Sequence, residues 1–75
     1  MKTSNTKERL KILIASLGIT QKELAIRSGV REASISHYIQ GLSEPNQKSI
    51  SKIAEATQIS PAWLMGYGSD EIERM

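Results

Sequence analysis

His37 is the single histidine of a 75-residue chain that has no cysteine. One imidazole with no second His or Cys nearby does not assemble a metal site. The eight carboxylates are scattered over helix starts and the C-terminal end rather than set as a pair for acid–base work. There is no glycine-rich phosphate loop and no His/carboxylate spacing for a metal. An enzyme is not expected, and neither is a cofactor, a metal or a small-molecule substrate.

The remaining chemistry is ionic, and it is uneven along the chain. Residues 1–31 carry seven Lys or Arg against Glu8 and Glu23, a net of +5. Residues 67–75 carry Arg74 against Asp70, Glu71 and Glu73, a net of −2. A basic front half with an acidic end suits a polyanionic partner, and equally an ordinary solvated surface. No apolar run approaches the length of a membrane span, and the opening MKTSNTKERL lacks the apolar stretch of a secretory signal. A cytoplasmic chain is the expectation.

Five short helices must position these groups. Asn5 with Glu8, and Thr20 with Glu23, have the spacing of helix-start caps. Leu10, Leu13, Ile14 and Leu17 fall on one stripe of the first helix, which Gly18 stops. Ile12 and Ile14 cannot both lie on that stripe, so one is expected at the surface. A second helix carries Leu24, Ala25 and Ser28, and a third runs from about Glu32 to Gln40, with Ile35, Ile39 and Leu42 to one side. Asn46 caps a fourth helix bearing Ile50, Ile53 and Ala54. Ser60-Pro61 opens a very short fifth that ends at Gly66. No stretch alternates as a strand would. The expectation is a compact all-α domain over residues 1–66, followed by a polar tail or linker start over 67–75.

Only Gly29, Val30 and Arg31 separate Ser28 from Glu32. Three residues are too few for a relaxed antiparallel hairpin, so the chain must turn a sharp corner whose first residue takes positive φ. Glycine does so without steric penalty. Ala25 is small enough for a close crossing, and Leu24, Val30 and Ile35 can fill the angle. Such a corner is a helix-turn-helix. At about 100° per residue, the direction opposite Ile35, Ile39 and Leu42 is taken by Ala33, His37 and Gln40, with Ser36 at the flank. These are small or neutral side chains that can approach base edges at little desolvation cost.

Gln21, Leu24, Ala25, Gly29, Val30, Ile35, Ser36, Gly41 and Pro45, with the later Ile53-Ala54 and Ser60 to Gly66, resemble the phage repressor and Cro type of helix-turn-helix DNA-binding domain. The resemblance covers roughly residues 9–66. It implies a lambda-repressor-like five-helix fold and a sequence-specific transcriptional regulator of phage-repressor or Cro-like kind. It also implies a partner of double-stranded operator DNA, bound by a homodimer on palindromic half-sites about 34 Å apart. Base contacts would come from Glu32, Ala33 and His37, beside Ser36. Ala33 would meet a thymine methyl, and His37 would donate to a guanine or phosphate oxygen. Glu32 would accept from a cytosine amino group, or would simply favour the helix dipole and pair with Arg31.

The same resemblance implies phosphate contacts at Gln21, at Gln40 and in the loop near Ser43 and Asn46; Gln21 also stands at a helix start that favours an anion, and Arg31 is the cationic addition. Lys48 and Lys52 are one turn apart and read equally as helpers or as solvated lysines, while Glu44 would oppose a phosphate. Arg31 departs from the family pattern, because relatives place a Ser, Thr or Asp cap there. Leu64 and Met65 are expected at a dimer interface with Trp63 mainly in the core, or all three simply close the core. A different class of function, a toxin-neutralising antitoxin or an antirepressor, is the alternative. It rests on the acidic tail and the spare isoleucine of the first helix.

Overall fold

The computed structural model describes residues 2–75. Its helices are α1 (Thr6–Leu17), α2 (Gln21–Ser28), α3 (Glu32–Gln40), α4 (Gln47–Thr57) and α5 (Pro61–Leu64). Each start has a local cause. Asn5 Oδ1 accepts from the Glu8 amide at 2.9 Å. Thr20 and Glu23 form a reciprocal capping box. Asn46 Oδ1 accepts from the Ser49 amide at 2.8 Å. Pro61 occupies the first turn of α5 behind the Ser60 cap. Only α3 lacks a side-chain cap, because Arg31 stands in that place.

Gly29 has φ 75° and its amide donates to the Ala25 carbonyl, which ends α2 and aims the chain into α3. Leu24, Val30 and Ile35 are buried in the resulting angle. α2 packs on both α3 and α4, α1 on α3 and α5, and α4 on α5. The core they enclose includes Leu10, Leu13, Ile50, Ile53, Trp63 and Leu64. Among the described residues there are no strands, only isolated bridges pairing Lys2 with Tyr67 and Ile59 with Arg74.

Two expectations about apolar residues are corrected. Leu42 is 68% exposed rather than inward. Gly41 turns to φ 77° and the Leu42 amide bonds back to the His37 carbonyl at 2.9 Å, so the helical phase that placed Leu42 stops one residue earlier. Ile12 and Ile14 are both half-buried against the core, and neither is left free. Because α1 is covered by two helices, its buried arc is wide, and these isoleucines mark its edges.

Arg9 is the side chain whose position composition least suggests. Counted among the cations of the basic front half, it is wholly buried. Its guanidinium donates to the carbonyls of Trp63 (2.9 Å), Tyr67 (3.0 Å) and Gly68 (2.8 Å), and lies 4.7 Å above the Trp63 ring. Asp70 Oδ1 approaches Nε at 3.4 Å, but Nε forms no hydrogen bond, so this contact is electrostatic and unaligned. Around this anchor residues 67–75, whose composition reads as a tail or linker start, are laid along the domain. Trp63 Nε1 donates to Ser69 O, Ser60 N to Glu73 O and Met75 N to Gln58 O. The Thr3 and Ser4 amides both donate to Gly66 O, tying the N-terminal arm to the same clasp.

Candidate nucleic-acid interface

The corner at Gly29 fixes which face of α3 the protein can offer. Ile35 and Tyr38 are buried and Ile39 is half-buried against the core, so α3 is held by one stripe. Glu32, Ala33, His37 and Gln40 are exposed on the far side, with Ser36 half-buried at the flank. Gln40 Nε2 donates to Ser36 Oγ at 2.7 Å, one turn back along the same face. The surface is neutral apart from Glu32 in the first turn. Among the described residues the ion pairs are Arg9–Asp70 and Lys11–Glu8 at 3.8 Å, so the Arg31–Glu32 pair weighed from the sequence is not formed.

The starts of α2 and α3 leave backbone amides open. At α2 the capping box satisfies the Glu23 amide, and the Gln21 and Lys22 amides have no acceptor among the described residues. At α3 no side chain caps the first turn, and the first amide to find a backbone acceptor is that of Ile35, at 3.1 Å from Arg31 O. Exposed amides at a helix start, with the helix dipole behind them, favour an anion. Gln21 is half-buried, while Arg31, Ser43 and Asn46 are exposed. Asn46 already uses its Oδ1 as a cap, which leaves its amide nitrogen for a second partner. The structure therefore sets Glu32, Ala33, His37 and Gln40 on one exposed face of α3 with Ser36 at its flank, Arg31 immediately before the helix, Gln21 at the start of α2, and Ser43 and Asn46 in the loop that follows α3.

Leu64 is set apart from that group and from any surface. It is wholly buried, so its side chain belongs to the core and not to an interface. α5 is a single turn packed between α1 and α4; Ala62 is its exposed residue, and Met65, which caps it, is half-buried against the core. The exposed Ile26 of α2 was not singled out from the sequence. Arg9 was also missed as an anchor, although it lies one turn before buried Leu13 and so shares its phase. Among the described residues no group of His, Cys, Asp or Glu is placed to hold a metal ion. No helix there is long and apolar enough to cross a membrane.

Two helices joined by a tight corner, the second with one face exposed, form a helix-turn-helix. The helix-turn-helix family model matches residues 10–64, and the chain belongs to that family. Its fold is that of a phage-repressor DNA-binding domain. A crystal structure of the P22 c2 repressor in complex with synthetic operator 9T in the presence of Tl+ superposes with a TM-score of 0.75 at 30% identity, over 84% of this chain and 96% of that one. The solution structure of the P22 c2 repressor's DNA-binding domain superposes with a TM-score of 0.78 at 30% identity, over 89% of this chain and 88% of that one. No curated protein matches it in sequence.

Proposed function

We propose that the protein is a sequence-specific transcriptional regulator that binds a palindromic operator as a homodimer, with α3 in the major groove of each half-site. The observation that carries this reading is the exposed Ala33–His37–Gln40 face, held opposite Ile35 by the corner at Gly29. Ala33 offers a methyl to thymine, His37 a donor to a guanine, and Glu32 an acceptor to a cytosine amino group, with Ser36 alongside. Gln21, Arg31, Gln40, Ser43 and Asn46 hold phosphates and set the register. Met65 stands at the edge of the dimer contact. Occupying the operator excludes polymerase.

Selection from a random DNA pool, followed by gel-shift titration, tests this. Enrichment of a palindrome whose binding weakens with Arg31→Ala and Gln21→Ala is expected. If the dimer neutralises about six phosphates, log affinity falls against log salt with a slope near −5. No enriched palindrome, or a slope near zero, refutes the reading. An antitoxin or antirepressor role draws its support from the acidic tail and a spare isoleucine on α1. The tail is docked around Arg9, and both α1 isoleucines pack on the core.

A further inference from the structure

Lys7 stands in the first turn of α1, yet its side chain lies at the far end of α3. A β-carbon placed on Gly41 would be 3.2 Å from Lys7 Cδ and 3.8 Å from Lys7 Nζ. Glycine at 41 therefore does two things: it takes φ 77° and it leaves room for the lysine stem to cross. Together Lys7, Gln40, Gly41, Ser43 and Glu44 line a cleft of about 270 Å³ between α1 and the loop after α3. Lys7 is half-buried there and, among the described residues, makes no ion pair, although Glu44 lines the same cleft.

We propose that Lys7 is the cation that grips a DNA phosphate at the C-terminal end of α3, a role that rests on the DNA-binding reading above. Gln40 belongs both to the cleft and to the outward face with Ala33 and His37. A duplex that takes this face in its groove must run a flanking backbone strand past Gln40 and the cleft mouth. Gln40, Ser43 and Asn46 are neutral and Glu44 repels a phosphate, so these contacts need a positive charge beside them. The Lys7 stem is confined by its passage over Gly41, so little side-chain freedom remains to be lost on binding. The competing role, a cation placed only against the dipole of α3, would affect folding alone.

The test compares the wild-type chain, K7M and K7R on two duplexes, the wild-type-selected operator and a random sequence, between 50 and 200 mM salt. K7M keeps the stem and removes the charge. It should weaken binding to both duplexes by the same factor and flatten the salt slope by about 0.9 for each phosphate released, about 1.8 for a dimer. Over that fourfold salt range the deficit then shrinks about 3.5-fold per contact. K7R should retain the wild-type slope. A K7M protein with wild-type slope and affinity overturns the proposal whatever its melting temperature, since Lys7 would then serve α3 only. Loss of slope in K7R as complete as in K7M also overturns it, because packing rather than charge would be responsible. Wild-type protein with no salt-dependent binding fails the regulator reading itself, a result separable from failure of K7M alone.

Discussion

Replacing Arg9 by Met tests whether the carbonyl cage or the ion pair closes this domain. Methionine keeps most of the buried stem and removes the donors. The carbonyls of Trp63, Tyr67 and Gly68, held at 2.8–3.0 Å, then lose a charged partner. A hydrogen bond to a charged group contributes about 1.5–3 kcal/mol, and each orphaned buried acceptor costs about 1–3 kcal/mol. Two of the three carbonyls, those of Tyr67 and Gly68, can recover water if residues 67–70 lift away, and Met avoids the cost of burying a charge. The expected net loss is therefore about 2–4 kcal/mol. A 75-residue domain has about 4–11 kcal/mol in all. The variant should still fold, with a melting point about 10–30 °C lower. Asp70 is 75% exposed, so Asp70→Asn should cost under about 1 kcal/mol. Urea unfolding followed by the emission of Trp63, the chain's single tryptophan, measures both. Equal losses for the two variants, or no loss for Arg9→Met, would refute the cage argument.

Other perturbations separate backbone strain from contact. Gly29→Ala should cost about 1–2 kcal/mol by thermal melt, from positive φ alone, because nothing lies within 4 Å of an added β-carbon. Gly66→Ala should cost more, since the added carbon overlaps the Ser4 carbonyl, and exchange protection of the Thr3 and Ser4 amides should fall with it. Arg31→Asp should raise stability by about 0.5–2 kcal/mol by supplying the missing cap, while gel shifts show weaker DNA binding. Gln58→Gly should stabilise by about 1 kcal/mol in the same melts, because Gln58, a non-glycine residue, holds a positive φ of 59°.

The parts of the fold that were legible in the sequence are those decided within a turn or two. The Gly29 corner, the bounds of α3 and the caps at Asn5, Thr20, Asn46 and Ser60 depend on residues no more than four apart. Helical phase from Ile35 was enough to place Ala33, His37 and Gln40 outward. Leu42 failed because phase was carried past a residue with positive φ. Leu64 was read as a partner surface because its burial depends on neighbouring helices, not on its own short one. The Arg9 cage joins groups up to 59 positions apart, and nothing local in ERLK distinguishes a buried arginine from a solvated one except its phase with Leu13.

The net +5 of residues 1–31, which suits a polyanion and a solvated surface equally, overstates the charge at the surface: Arg9 spends its charge inside the domain on carbonyls and Lys11 shares its charge with Glu8. The cations left for an outside partner are fewer, and the weight on Arg31 and Lys7 is correspondingly greater. A polyanion meets the charges that remain at the surface rather than the net charge of a segment. Neutralising Arg31 should therefore flatten the salt slope of binding. The same substitution at Arg9 should lower stability, with the slope of the protein that remains folded unchanged.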